Sequence, residues 1–147
     1  MQKEPAWGKP IDTAATLRGI CGRALIAMGH HDAFRWHAVL LADPEPMTRA
    51  LAVETLGGVP DERAELLLRC KIAREPDPDP PMERPAGGRE PETNVEMDAF
   101  DGLMRIAPGE SFDFVATYLR DEDRDRVSGA ALALGQTHRP EIGRAHV

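Results

Sequence analysis

Histidines are the side chains in this sequence whose spacing comes closest to that of a metal site. His30 and His31 are adjacent, and His37 follows further along the chain. Adjacent histidines point in different directions on a helix, and no ligand spacing such as H-E-x-x-H accompanies them. We therefore interpret the pair as a solvated turn between helices, and expect neither a metal nor a cofactor.

The two cysteines offer no clear nucleophile. Cys21 and Cys70 lack metal-ligand spacing, and so low a cysteine content favours a reducing compartment. Cys21 falls on a small core position of the repeat described below, so we expect it to be packed in the core. Cys70 lies near the end of a predicted helix without a histidine relay. Phosphate-binding loops, a nucleophile elbow and paired catalytic carboxylates are also missing from the sequence, which predicts that the chain is not an enzyme.

The net charge and the hydropathy of the sequence argue against nucleic acid and membrane as partners. A net charge of −7 over 147 residues argues against nucleic-acid binding, which requires clustered lysine and arginine. No apolar window approaches the ~18 residues that span a bilayer, and the first residues do not resemble a signal peptide. We expect a cytoplasmic protein that binds another protein, with no nucleic acid and no membrane as partner.

Seven segments have helical periodicity, whereas strand alternation is nearly absent, so the predicted fold class is all-α. Asp43 and Pro44 predict the start of the third helix, Gly57 with Gly58 its end, and Gly135 the end of the seventh. The predicted apolar faces of the first four helices are Leu17, Ile20, Cys21, Ala24 and Met28; Phe34, Ala38 and Leu41; Met47, Leu51, Ala52 and Leu56; and Ala64, Leu67, Leu68 and Ile72. Those of the last three are Met97, Phe100, Leu103, Met104 and Ala107; Phe112, Val115 and Leu119; and Val127, Ala130, Ala131 and Leu134.

The helices form pairs that resemble one another in sequence. The segment 49–57, RALAVETLG, overlays an earlier segment when Arg49 is aligned with Arg18. It also overlays the later segment 127–135. That shift is larger because a proline-rich insertion lies between the two segments. The first shift indicates a period of about 31 built from two short helices, which is typical of an α-solenoid.

Two stretches, LLADPEPMTRALAVETLGGVPDERAELLL and YLRDEDRDRVSGAALALGQTHRPE, resemble HEAT repeats. More narrowly, they resemble the short HEAT-like repeats also found in bacterial phycobilin lyase subunits. The shared pattern is a leucine, a turn with aspartate, Val/Thr-Arg, small residues and Leu-Gly. The matching residues are Leu41, Asp43, Thr48-Arg49, Ala52 and Leu56-Gly57, and then Leu119, Asp121, Arg126-Val127, Ala130 and Leu134-Gly135. Arg126 precedes Val127, so the later copy departs from the pattern there. The resemblance covers residues 13–73 and 97–140 and implies an α–α superhelix of paired antiparallel helices.

The resemblance implies a concave face, lined by the helices that follow each aspartate turn, that binds another protein. Arg23, Arg49 and Glu54 lie on these helices off the apolar faces, and are candidate partner-binding residues unless they are simply solvated charges. Trp36, on a first helix, is a further candidate if it is exposed. The expected function is a non-catalytic interaction scaffold. The alternative, by analogy with the repeats alone, is a bilin lyase-like or chaperone-like subunit that acts on a partner protein.

The predicted organisation is an N-terminal tail (1–12), repeats (13–73), an acidic linker (74–96), further repeats (97–140) and a C-terminal tail (141–147). The linker carries six prolines and repeated carboxylates, which predict a solvated, extended loop. The final residues IGRAHV match a translation of ATC GGA AGA GCA CAC GTC, part of a common short-read sequencing adapter, in which the next codon is a stop. We therefore expect residues 141–147 to be non-native and the natural protein to be a larger HEAT-repeat protein.

Overall fold

The computed structural model describes residues 12–73 and 91–137. Within these ranges the chain forms seven α-helices, one short 3-10 helix and no strand, which confirms the all-α prediction. The α-helices are α1 (Ala14–Ala27), α2 (Ala33–Leu40), α3 (Pro46–Leu56), α4 (Glu62–Ala73), α5 (Pro91–Ile106), α6 (Pro108–Thr117) and α7 (Arg124–Thr137), with the 3-10 helix at Tyr118–Arg120. None of them, in the part of the chain described, is long and apolar enough to cross a membrane. The predictions for residues 1–11, 74–90 and 138–147 lie outside the described residues.

Three helix boundaries differ from those expected. Helix α3 begins at Pro46, two residues after Pro44, because Glu45 has extended backbone and serves as the N-cap. Helix α5 begins at Pro91, so residues 91–96 are helical instead of continuing the predicted linker. Proline suits a first helical turn, and Val95 in this segment is buried in the core. Helix α7 continues past Gly135 to residue 137, since Gly135 does not adopt left-handed backbone.

The odd-numbered helices form a row in which each packs against the next. Helix α1 contacts α3, α3 contacts α5, and α5 contacts α7. Each even-numbered helix packs against two successive members of this row: α2 against α1 and α3, α4 against α3 and α5, and α6 against α5 and α7. The acidic segment 74–90 therefore separates two helices, α4 and α5, that pack together.

A single cluster of buried apolar residues runs through helices α2 to α7. Phe100, Leu103 and Met104 of α5 lie at its centre, because α5 contacts α3, α4, α6 and α7. The other large members are Leu40, Leu41, Val53, Leu56, Leu68, Ile72, Val95, Val115 and Leu134. Among the described α-helices, α1 alone contributes no residue to this cluster.

Burial follows one register along the row of odd helices. Ala52, Thr55 and Leu56 of α3 are buried, and so are the aligned residues of α5, which are Phe100, Leu103 and Met104. The aligned residues of α7 are Ala130, Ala133 and Leu134, which are also buried. From α3 to α5 the shift is longer than the predicted period of about 31 residues, and the difference is the length of segment 74–90. The insertion therefore lengthens one connection, while these three positions of α5 remain buried.

The predicted apolar face of α1 is exposed. Leu17, Ile20 and Met28 are 60%, 51% and 70% exposed, and Cys21 and Ala24 are also exposed. Helix α1 instead buries three small residues, Ala15, Gly19 and Gly22. A Cβ added at Gly19 would lie 2.5 Å from Leu51 Cδ1, so the lack of a side chain lets α3 approach closely. The expected core position of Cys21 was therefore wrong.

Candidate functional site

Arg23 and Glu54, two of the four predicted partner-binding residues, lie together on the surface of the row. The Arg23 guanidinium is 3.4 Å from a Glu54 carboxylate oxygen, and it links α1 to α3. Arg23 Nε also donates a hydrogen bond to Thr55 Oγ1, at 3.4 Å. Both charged side chains are at least half exposed. An exposed ion pair of this kind adds little to stability, so it leaves both groups available to a partner.

The charged surface continues onto α5. Partial burial of the Asp98 carboxyl raises its pKa, and the nearby negative charges of Asp101 and Glu54 raise it further, although the residue as a whole remains exposed. Asp101 in turn pairs with Arg105 one helical turn away. We call these residues, together with Arg23 and Glu54, the charged strip: Arg23, Glu54, Asp98, Asp101 and Arg105. Sequence reasoning missed the three on α5, because the alignments of α3 with α1 and α7 carry no register for α5.

Arg49 lies away from the charged strip, at the start of α3. Its guanidinium donates to the backbone oxygens of Asp43 and Pro44, at 2.7 and 3.0 Å, and its side chain is half-buried. These bonds hold the turn before α3. Trp36 lies on α2, outside the row, and is 51% exposed. The structure thus brings together two of the four predicted residues and leaves the other two elsewhere.

An arginine–aspartate network supports the beginning of the row. Arg18 donates to both oxygens of Asp43, at 2.8 and 2.9 Å, and to Asp12 at 2.9 Å. The Arg18 guanidinium lowers the pKa of Asp43, which also accepts a bond from the Glu45 backbone N–H at 2.9 Å. This network ties α1 to the turn before α3. The Asp12 and Asp43 carboxylates accept their hydrogen bonds from groups of the protein itself.

His30, His31 and Asp32 form a possible group of metal ligands at the turn between α1 and α2. Their ligand atoms lie within 4.8 Å of one another, and both histidines are exposed. His30 Nδ1 accepts a hydrogen bond from the Asp32 backbone N–H at 3.1 Å, and His31 Nε2 is 3.2 Å from Asp32. These groups therefore contact one another at an open surface turn. His37 is fully buried on α2.

The cysteines are both free and exposed. Cys21 is exposed on α1 because no described helix covers the side of α1 that faces away from α3. Cys70 lies near the end of α4, as its position in the sequence indicates.

A shallow groove of about 400 Å³ lies between the start of α4 and the turn from α5 to α6. Its acidic members are Asp61, Glu62, Glu65 and Glu110. Arg63 pairs with Asp61 at 2.9 Å, and Arg69 pairs with Glu65 at 2.7 Å. Arginine side chains from the protein itself thus neutralise two of these carboxylates, and the groove does not resemble an enclosed ligand site.

The comparisons with known proteins found no match: no protein family, no curated protein and no solved structure corresponds to this chain. The candidate site therefore rests on the geometry of this chain alone.

Proposed function

We propose that the chain is a HEAT-like helical solenoid segment that acts as a non-catalytic scaffold for another protein, and that the charged strip is the binding surface. The observation that carries this proposal is the charged strip itself, which crosses three successive helices of one row. Its two ion pairs, Arg23–Glu54 and Asp101–Arg105, are at least partly exposed, and the acidic Asp98 lies near both of them.

The strip suits a protein partner better than a small ligand. Exposed charges spread over three helices steer association and fix orientation, whereas small-molecule sites are concave and mostly apolar. Three of the five charges are acidic, so the partner surface would be mainly basic, with a carboxylate opposite Arg23. Trp36 lies outside the row and would act only at the edge of such a complex.

The experiment is affinity capture from the source cells, followed by reconstitution with the purified partner. The double substitution Arg23→Ala and Glu54→Ala should weaken binding of that partner without loss of helicity by circular dichroism. The matched control is Arg63→Ala, which removes an exposed arginine of α4 that pairs with Asp61, the residue just before that helix. Equal binding by wild type and the double variant would rule out the strip as the interface.

A further inference from the structure

Helix α3 shows which positions of an odd helix face the preceding member of the row. Thr48 Oγ1 donates to the Ala15 backbone oxygen at 2.9 Å, and Thr55 Oγ1 accepts from Arg23. Between them, Leu51 packs against Gly19, where a Cβ would lie 2.5 Å from Leu51 Cδ1. The face of α3 toward α1 is therefore centred on Leu51.

Helix α7 uses the same register toward α5. Arg126, which aligns with Thr48, binds Glu96 at 3.1 and 3.2 Å. Gly129, which aligns with Leu51, lies where a Cβ would meet Met97 at 3.0 Å and Phe100 at 3.2 Å. The face that α7 turns toward α5 is thus equivalent to the face that α3 turns toward α1. Each junction sets a large side chain against a glycine, but α5 receives α7 with Met97 and Phe100, which do not align with Gly19 of α1.

The equivalent face of α1 has no preceding helix among the described residues. The positions of Thr48, Leu51 and Thr55 are taken in α1 by Leu17, Ile20 and Ala24, all exposed. Cys21 occupies the position of Ala52, which is fully buried, yet Cys21 is exposed. No described residue therefore covers the face of α1 that corresponds to the one that α3 and α7 use for stacking.

The opposite face of α7 is the complementary one. The residues of α1 that receive α3, Gly19 and Gly22, align with Ser128 and Ala131 of α7. Both are small and exposed. Gly135 follows on the same face, and a Cβ there would meet nothing within 4 Å. The small residues on this face of α7 would let another helix approach closely, as Gly19 lets Leu51 approach α1.

We propose that a second copy of this chain docks α1 onto α7, with Ile20 of one copy over Ser128 of the other. The contact repeats the packing of Leu51 over Gly19. It makes α1 of one copy the next odd helix after α7 of the other. It joins two different surfaces, so it is heterologous, and it adds copies in one direction as concentration rises until the row closes into a ring or continues as an open chain. The inference rests on the helix register and does not involve the charged strip.

The first experiment measures the mass of the full chain by sedimentation velocity and light scattering over a range of concentrations. Wild type should grow in steps of one copy, whereas Ile20→Lys and Ser128→Arg should each remain monomeric. Both substituted residues are exposed, so circular dichroism should show unchanged helicity. The control is Leu66→Lys on α4, which removes a leucine that is 60% exposed outside both faces and should assemble like wild type.

Mixing the two variants separates a heterologous contact from a symmetric one. The Ile20→Lys protein keeps an intact α7 face, and the Ser128→Arg protein keeps an intact α1 face. An equimolar mixture should therefore form a dimer that grows no further. No dimer in the mixture, or self-association that persists in either single variant, would refute the proposal.

Thiol labelling tests where the copies meet, with a built-in reference. A maleimide should react several-fold more slowly with Cys21 when the protein is concentrated, while Cys70 on α4 should keep its rate. If wild type stays monomeric and Cys21 is equally reactive at all concentrations, the proposal is wrong. If Cys21 is equally protected at all concentrations in a monomer, another segment of the same chain covers α1, and the proposal is again wrong.

Discussion

At the scale of single residues, His37 is the most unusual side chain of the core. It is fully buried, its Nδ1 lies 2.8 Å from the Ala33 backbone oxygen, and its Nε2 has no hydrogen-bond partner among the described residues. The residues of α4 and α6 that align with it are Leu68 and Val115, which are also buried. A histidine thus stands at a position where α4 and α6 have an aliphatic side chain.

We expect His37 to make stability depend on pH. Burial lowers its pKa below the ordinary value of 6.5. As pH falls below 6.5, the unfolded chain takes up a proton at this residue before the folded chain does, so the free energy of unfolding decreases until the pH reaches the lowered folded-state pKa. Urea denaturation on both sides of pH 6.5 should show this loss.

The matched variant is His37→Leu, which restores the residue type found at the equivalent position of α4. It should flatten the pH dependence and raise stability at neutral pH by about 1 kcal/mol, because it removes an unsatisfied buried nitrogen. His31→Leu, which removes an exposed histidine, should leave the dependence in place. An unchanged slope in His37→Leu would show that another group is responsible.

The ion pair between Arg126 and Glu96 gives a second prediction at this scale. The two side chains are only 13% and 17% exposed and are joined by two hydrogen bonds, which connect α7 to α5. Glu96→Gln leaves the partly buried guanidinium with the more distant carboxylate of Asp121, at 4.0 Å, as a charged partner, so we expect a loss of about 1–2 kcal/mol in the free energy of unfolding. Asp101→Asn, which breaks the more exposed pair with Arg105, should cost less than about 0.5 kcal/mol. Equal effects in chemical denaturation would contradict this.

At the scale of helices, close packing depends on glycine where α3 meets α5. A Cβ added at Gly102 would lie 2.9 Å from the Gly57 Cα atom, and backbone cannot move aside as a side chain can. We expect Gly102→Ala to destabilise the protein by about 1–3 kcal/mol through overpacking, despite the better helix propensity of alanine. Thermal denaturation would measure this.

Gly109→Ala is the control for the same chemical change. Gly109 lies in the first turn of α6, and a Cβ there would meet nothing within 4 Å. Alanine at this site should leave stability unchanged or raise it by up to about 0.5 kcal/mol. A destabilisation as large as that of Gly102→Ala would mean that helix contact is not the cause.

Local sequence signals predicted the existence of all seven α-helices, because proline, aspartate and glycine act within a turn or two of their own position. The predicted faces of α4 and α5 are largely buried, since those helices lie in the middle of the molecule. The prediction that the apolar face of α1 is buried was wrong for a physical reason. Periodicity reports that Leu17 and Ile20 form one apolar surface, but not whether a neighbour covers it.

The candidate site was less predictable than the fold. Arg23 and Glu54 were predicted, together with Arg49, because they lie off the apolar faces of the helices expected to line the concave side. Asp98 and Asp101 were missed because the position of α5 depends on how the chain returns after segment 74–90, which the repeat pattern alone does not fix. Exposed charges also carry no periodic signal of their own, since a charge facing solvent and a charge facing a partner look alike.

At the scale of the whole molecule, stability should increase from α1 toward α5. Helix α1 buries only Ala15, Gly19 and Gly22 and adds nothing to the continuous core. Helix α5 contacts four other α-helices and buries Phe100, Leu103 and Met104. Since hydrophobic burial scales with apolar area, α1 has the least to lose on opening, and its local unfolding should need less free energy than global unfolding.

Hydrogen exchange followed by mass spectrometry measures this difference directly. In dilute protein, the amides of α1 should exchange much faster than those of α5, and α7 should resemble α5 because Ala130, Ala133 and Leu134 anchor it in the core. Raising the protein concentration should slow exchange in α1 if a second copy covers it, and Ser128→Arg should abolish that slowing. Protection of α1 equal to that of α5 in dilute protein would show that the molecule unfolds as one unit, with the first helix held as firmly as the centre.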